Sequence, residues 1–174
     1  MTVTPLFVHV QFEPSDAAPT PASPVESVYL AYMTDEGLST AKFEPDADQD
    51  GRDGSMWEKV AGYLNEFVRQ VPNARIVGWD LRNRDWPAIV ANVVKHGFKL
   101  NRSLLLPLDE KWNKAPLVDL KNLFVQGGFI EADKWPSLGA VYSMFMDDAT
   151  GELGQESAVF ACSQIYALYE RAFQ

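Results

Sequence analysis

Apolar residues recur every two residues in the first part of this sequence and every 3.6 residues after it. The order of these two patterns constrains the fold more than any other feature of the sequence. Residues 5–14 place apolar side chains at every second position, and their other face becomes polar toward the C-terminal end, which predicts a β-strand. Residues 25–34 and 37–45 predict two more strands, joined as a hairpin by a short acidic turn. From Ser55 the period becomes 3.6, which predicts an amphipathic helix with Ser55 and Glu58 as its capping box.

A buried strand and a series of helices follow along the chain. Residues 74–81 predict the strand, and residues 85–97 predict the helix after it. After a loop or short strand, we expect three more helices, which begin near Val118 and cover residues 137–146 and 156–173. Three antiparallel strands followed by a helix and a parallel strand predict an α/β fold with a mixed sheet flanked by helices. An RNase H-like fold fits this order.

The composition bounds the size of the protein and the partners that it can have. With 174 residues, 47% of them apolar, we expect residues 1–174 to form a single domain with a sizeable core. A formal net charge of -9 argues against broad, unaided binding to phosphate backbones, which depends on Lys and Arg. The single cysteine, Cys162, excludes an internal disulfide, and two histidines argue against a zinc site. No stretch approaches the ~18 apolar residues of a membrane span, so we expect a cytoplasmic protein without a membrane partner.

An acidic segment, residues 46–54, has the opening half of a calcium-binding loop. Aspartates alternate along its first half, and a glycine follows where such a loop turns sharply. The closing position, which needs a glutamate with two coordinating oxygens, is Trp57. We therefore interpret this segment as a solvated acidic loop.

Several stretches together resemble the DEDD-class 3′-5′ exonucleases, the proofreading-type family of the RNase H-like superfamily. They are IVGWDLRNRDWPAIV from Ile76, LVDLKNLF from Leu117, the SL that follows it and the closing helix, in the strand order given above. The resemblance covers nearly the whole chain. It implies an enzyme that hydrolyses the terminal phosphodiester at a nucleic-acid 3′ end with two metal ions, Mg²⁺ or Mn²⁺, held by four carboxylates.

The first motif of that family is an Asp and a Glu two residues apart on the first strand, where a period of two places both on one face. The best match is VQFEP, in which Gln11 stands at the Asp position and Glu13 keeps the Glu as a metal ligand. A register shifted by two residues instead places His9 and Gln11 at these positions and keeps neither carboxylate. The same residues are also compatible with a strand edge whose polar side chains face solvent.

The second motif of the family resembles DLRNRDWP in this chain. Asp85 takes the place of the second aspartate and joins Glu13 as a metal ligand, and Asp80 stands where a polar residue usually precedes it. Asp85 also suits the N-cap of the helix predicted from residue 85, and the two roles are compatible. Asp119 resembles a further acidic position outside the main quartet, which is more often structural than catalytic.

The third aspartate of the family lies on the last helix, four residues after a tyrosine that orients the attacking water. In this chain Phe160 stands at the tyrosine position and Gln164 at the aspartate position. Tyr166 and Glu170 have the same spacing near the end of the sequence and rank second. Two of the four carboxylates are thus replaced by glutamine, which supplies one neutral oxygen in place of a charge. The resemblance therefore implies weak or absent metal binding and impaired catalysis.

The main functional hypothesis is an exonuclease-like accessory module that binds a nucleic-acid 3′ end with residues near the candidate cleft. These residues are His9, Asp80, Arg82, Arg84, Lys95, Lys99 and Arg102. The basic ones are equally compatible with a solvated helix rim.

Two alternatives stay open at this point. The first is an active metal-dependent nuclease that uses Glu13, Asp80 and Asp85. The second is a protein-interaction domain with an unidentified partner, which is consistent with the acidic net charge and with exposed tryptophans. The candidate contact residues are Trp86, Trp112 and Trp135.

Overall fold

Five β-strands and six α-helices make up the part of the chain that the computed structural model describes. That part consists of residues 4–15, 17–46, 54–71, 73–105, 117–126, 137–146 and 158–173. The strands are β1 (Thr4–Phe12), β2 (Val25–Thr34), β3 (Gly37–Phe43), β4 (Ala74–Gly78) and β5 (Leu117–Asp119). The helices are α1 (Ser55–Gln70), α2 (Trp86–Lys95), α3 (Arg102–Leu105), α4 (Leu120–Gln126), α5 (Leu138–Met146) and α6 (Ala158–Phe173). A π-helix, Leu81–Asp85, lies between β4 and α2. Within these ranges no helix combines the length and the apolar character that crossing a membrane requires.

The strands form one mixed sheet in the order β3-β2-β1-β4-β5. The first three strands are antiparallel, and Val8 of β1 lies opposite Leu30 of β2. β4 and β5 run parallel to β1, since Val8 pairs with Gly78 and Val77 with Val118. The predicted mixed sheet is confirmed. β5 follows the segment for which the sequence predicts a loop or short strand, and it extends the parallel half of the sheet.

Each face of the sheet carries its own hydrophobic core. Leu6, Val8 and Val10 of β1 belong to the core that α1 and α2 cover. Phe7 belongs to the core on the opposite face, which α4, α5 and α6 cover. Because strand side chains alternate between the two faces, the period-two pattern of β1 supplies both cores. The second face becomes polar only from His9 onward, where the helices no longer cover it completely.

β4 ends at Gly78, before the end of the predicted strand. A Cβ atom at Gly78 would lie 3.0 Å from the carbonyl oxygen of Val8 and 3.0 Å from Cδ1 of Leu81, so the chain packs tightly against β1 as it turns. Asp80 then has a φ of 57°, in the left-handed region. The backbone N–H of Trp86 donates to the carbonyl oxygen of Leu81, five residues earlier, which closes the π-helix. The hydrophobic pattern did not predict this element, because five residues are too few to show its period.

Trp86, the first residue of α2, is fully buried in the core that α1 and α2 cover. The prediction that this tryptophan is exposed for partner binding is therefore wrong. The π-helix turns the start of α2 into the protein, so that the indole faces the core. Trp112 and Trp135 lie outside the described residues.

α1 begins without the predicted capping box. Gly54 holds the N-cap position with a φ of 70°, and no side chain caps this end of the helix. Ser55 is the first helical residue, and its hydroxyl donates to the Asp46 carboxylate over 3.0 Å. Lys59 lies 3.4 Å from the same carboxylate, so Asp46 holds the first turn of α1. Most of the predicted acidic loop, residues 47–53, lies outside the described part of the chain.

Alanine at Gly54 is expected to lower the free energy of unfolding by about 1–2 kcal/mol, because a residue with a Cβ atom is strained in the left-handed region. The new Cβ would also lie 2.8 Å from Nδ1 of His96, which would have to move. Gly62→Ala in α1 is the matched control, since nothing lies within 4 Å of a Cβ there. It should stabilise the protein by about 0.5–1 kcal/mol. Urea denaturation measures both changes, and equal values would contradict the left-handed start of α1.

Candidate functional site

A cleft of about 740 Å³ opens at the carboxyl end of β1. One wall is made by residues 9–15 and by the loop that leads to β2. The other walls are made by Trp79 and Asp80 after β4, by Arg84 of the π-helix, and by residues of α4, α5 and α6. Parallel strands bring the segments after their carboxyl ends to the same edge of a sheet, where ligand sites of such sheets commonly lie. The strand order therefore creates the cleft.

His9, Gln11 and Glu13 alternate along one wall of the cleft, but β1 includes only the first two. The Nε2 of Gln11 donates to Glu26 over 2.8 Å, and its Oε1 accepts from the Ser27 hydroxyl over 3.1 Å. Glu13 follows the end of the strand, and its side chain is exposed at the rim of the cleft. The strand thus brings His9 and Gln11 into the site and leaves Glu13 at its edge.

Asp85 contacts two residues of the cleft wall and is itself fully buried. Its Oδ2 accepts the backbone N–H of Val10 over 3.1 Å, and its Oδ1 accepts Nε–H of Arg84 over 2.6 Å. Asp85 holds the predicted N-cap position of α2, but its carboxylate makes no capping hydrogen bond there, because the π-helix directs the side chain toward β1. Burial raises the pKa of Asp85 to about 6, although Arg84 and the N–H of Val10 favour its charged form.

His9 faces the same carboxylate, with 4.0 Å between its Nδ1 and Oδ2 of Asp85. Burial lowers the pKa of His9 to about 4, and the positive charge of Arg84 contributes to this shift. The imidazole is therefore neutral at pH 7, and its approach to Asp85 is not an ion pair. Its Nδ1 is buried and has no hydrogen-bond partner among the described residues. The part of the wall that β1 supplies is thus polar but uncharged.

Lys121 of α4 lines the cleft and adds a positive charge to it. The sequence did not predict this residue as part of the site. Its Nζ donates to Oδ2 of Asp80 over 2.8 Å. Its backbone N–H donates to Asp119, whose other oxygen accepts the N–H of Arg82 over 2.8 Å. Asp119 is buried and joins the π-helix to α4, which is the structural role expected for it. Lys121 and Asp80 are 41 residues apart in the sequence, so no local pattern identifies this pair.

The basic residues predicted near the cleft divide into two groups. Arg84 lines the cleft, and its guanidinium lies 5.7 Å from the ring centroid of Phe12. Arg82 is exposed, and its Nη2 donates to the carbonyl oxygen of Leu117 over 3.2 Å, outside the cleft lining. The remaining three are exposed at and beyond the C-terminal end of α2 and do not line the cleft; they are Lys95, Lys99 and Arg102. Of these five basic residues, which are close in sequence, only Arg84 lines the cleft, so the site is less basic than the sequence predicted.

α6 brings Gln164 to the cleft, where the residue is 7% exposed. Phe160 lies one turn earlier on the same helix, and its side chain is outside the described part of the structure. Tyr166, of the pair ranked second, packs edge-on against Phe7 with 5.5 Å between ring centroids, and it does not line the cleft. Gln164, the candidate for the aspartate position that the sequence ranks first, thus lines the cleft, and Tyr166 of the second-ranked pair does not.

The donors of the cleft do not fit a pair of Mg²⁺ or Mn²⁺ ions. These hard cations need several carboxylate oxygens, whose negative charge balances their own. In the described ranges, no group of three or more His, Cys, Asp or Glu side chains could hold a metal ion. Both oxygens of Asp85 accept hydrogen bonds from the protein itself. Of the two carboxylates that line the cleft in the described part of the chain, Asp80 is paired with Lys121 and Glu13 is exposed at the rim.

Comparisons with known proteins identify the fold. No family model and no curated protein matches the sequence. The family B DNA polymerase from the hyperthermophilic archaeon Pyrobaculum calidifontis is similar over 98% of this chain and 24% of its own, with a TM-score of 0.61 and 19% identity. E. coli Exonuclease I in complex with a dA16 oligonucleotide is similar over 98% of this chain and 40% of its own, with a TM-score of 0.54 and 12% identity. The chain thus spans less than half the length of either protein. Its topology is that of the RNase H-like exonuclease fold, as the sequence predicted.

Proposed function

We propose that this chain is an exonuclease-fold module that holds the 3′ end of a nucleic-acid strand in the cleft without hydrolysing it. The observation that carries the proposal is the state of Asp85, the buried carboxylate of the site, which is bonded to Arg84 and Val10. The cleft side chains at the other candidate ligand positions of the fold are neutral, and they are His9, Gln11 and Gln164. Hydrolysis by the two-metal route needs carboxylates around such a site.

The His9 and Gln11 register of the first motif fits this geometry better than the register with Gln11 and Glu13. Carboxylates that share a metal ion must converge within a few ångströms, and the β1 side chain that faces Asp85 is His9, with 4.0 Å between its Nδ1 and Oδ2 of Asp85. Glu13 is exposed beyond the end of the strand. In this register three of the four family positions, residues 9, 11 and 164, carry no charge at pH 7, which supports impaired catalysis.

Positive charge for a phosphate group comes from Arg84 and Lys121 in the cleft, each of which also binds a carboxylate. Since the chain has a net charge of -9, long-range attraction of nucleic acid is weak, and binding depends on contacts inside the cleft. Exonuclease I, which has a similar fold, is in complex with a dA16 oligonucleotide in its solved structure. That complex supports a single strand as the ligand.

Fluorescence anisotropy with 5′-labelled single strands of DNA and RNA tests the proposal. We expect binding that EDTA leaves unchanged, weaker competition by an unlabelled circular strand, which lacks a 3′ end, and no shortening of the strand in Mn²⁺. Lys121→Ala should weaken binding roughly tenfold, the value of about one charge-assisted hydrogen bond. Lys99→Ala is the matched control and should bind normally, because Lys99 is exposed away from the cleft.

Two results would contradict this function, and each points to one of the alternatives. Shortening of the strand in Mn²⁺ that disappears in Asp85→Asn would show an active nuclease. A folded protein that binds neither DNA nor RNA would favour the protein-interaction function instead.

A further inference from the structure

The ion pair between Arg84 and Asp85 has an electrostatic role that a metal ion could otherwise fill. Nε of Arg84 lies 2.6 Å from Oδ1 of Asp85, and the two side chains are 22% and 0% exposed. A buried carboxylate without a nearby positive charge is strongly disfavoured, so Asp85 needs a cation within contact distance. In carboxylate sites for divalent ions the metal supplies that charge. In this cleft a side chain supplies it.

Contacts with β1 hold both members of the pair in place. The N–H of Val10 donates to Oδ2 of Asp85 over 3.1 Å, and Nε of Arg84 donates to the other oxygen, Oδ1. The guanidinium of Arg84 lies 5.7 Å from the ring centroid of Phe12, within the range of a cation–π contact. Because Val10 and Phe12 both belong to the strand that forms the cleft wall, the pair is fixed relative to that wall. A divalent ion approaching Asp85 would meet the guanidinium at contact distance.

We propose that Arg84 takes the place of a metal ion in this site, because its fixed positive charge neutralises Asp85 and excludes divalent cations from that carboxylate. The inference rests on the proposed function, which assigns residues 9 and 164 to the ligand positions of the fold. It goes further, since it predicts that restoring carboxylates there does not create a metal site while Arg84 is present. Two cations that share one carboxylate repel each other, and a guanidinium does not lose its proton in proteins.

The test compares three proteins that carry His9→Asp and Gln164→Glu, which add two carboxylates to the cleft lining beside the buried Asp85. Gln11 stays unchanged, because its amide donates to Glu26 and a carboxylate there would face another one. The first protein keeps Arg84, the second adds Arg84→Lys, which keeps the charge, and the third adds Arg84→Gln, which removes it. Isothermal titration with Mn²⁺, without nucleic acid, measures metal affinity.

We expect the Arg84→Gln protein to bind Mn²⁺ roughly tenfold or more tightly than the proteins with Arg84 or Arg84→Lys. Equal affinity with and without the positive charge would overturn the inference, and so would no Mn²⁺ binding by a folded Arg84→Gln protein. Circular dichroism establishes folding. If the combined substitutions prevent folding, the comparison is repeated with Gln164→Glu alone, which is nearly isosteric, in proteins with and without Arg84→Gln. The Arg84→Gln protein is again expected to bind Mn²⁺ more tightly. The oligonucleotide test uses the unaltered protein in EDTA, so the two proposals fail independently.

Discussion

Replacing Asp85 by alanine is expected to lower the free energy of unfolding by about 3–5 kcal/mol, the usual cost of removing one partner from a buried ion pair. The change takes away the oxygens that the N–H of Val10 and the guanidinium of Arg84 now contact. Asp85 is fully buried, so its loss leaves the N–H of Val10 without an acceptor, whereas the guanidinium of Arg84, which is 22% exposed, keeps access to water. Urea denaturation at pH 7 measures the loss.

Two matched variants separate the effect of this buried pair from the loss of an aspartate in general. Asp85→Asn keeps an oxygen that can accept from Val10, and it should cost less than Asp85→Ala. Asp35→Ala removes an exposed aspartate between β2 and β3 and should change the stability by less than about 0.5 kcal/mol. If Asp85→Ala costs no more than Asp35→Ala, the carboxylate does not stabilise the fold, and ligand binding becomes the better explanation of its position.

His9 and Asp85 should make opposite contributions to the pH dependence of stability. The pKa of His9 is lowered to about 4, so its contribution is present above its ordinary pKa of 6.5 and is lost as the pH falls through about 4. The pKa of Asp85 is raised to about 6, so its contribution is present below its ordinary pKa of 3.8 and is lost as the pH rises through about 6. Between about pH 4 and pH 6 the two slopes offset each other in the unaltered protein.

Single substitutions should reveal each slope, because one pKa unit corresponds to about 1.4 kcal/mol. Relative to the unaltered protein, the unfolding free energy of His9→Gln should fall by about 3 kcal/mol between pH 4 and pH 6.5. That of Asp85→Asn should rise by about the same amount between pH 4 and pH 6. Subtracting the unfolding free energy of the unaltered protein at each pH removes the contribution of surface carboxylates from the curves of both variants. Urea denaturation at unit steps of pH measures the curves, and parallel curves for the two variants would contradict the assigned pKa directions.

Hydrophobic periodicity predicted most of the fold, because each segment carries its pattern within itself. β1, α1 and α5 begin and end within a few residues of the predicted bounds. The end of β4 was predicted too late, because Trp79 and Leu81 continue the apolar pattern and are buried although they lie beyond the strand.

The candidate site was harder to predict, because its decisive contacts join distant residues. His9, Gln11 and Glu13 share the period of a strand, so the sequence alone does not fix which of them meets Asp85. That choice depends on where β1 ends and on how the π-helix directs Asp85 toward β1. The family resemblance proposed positions 85 and 164 without this information, but it did not predict the ion pair with Arg84.

The π-helix also constrains the number of residues between β4 and α2. The π-helix closes a turn with hydrogen bonds five residues apart, where an α-helix uses four, so deleting one residue from Leu81–Asp85 would remove the wider turn that sets the direction of the side chains beside it. The Asp85 carboxylate would then leave β1, and the Trp86 indole would leave the core. Descendants of this sequence can therefore exchange exposed residues such as Asn83 with little penalty, whereas a gain or loss of a single residue between β4 and α2 would be strongly selected against.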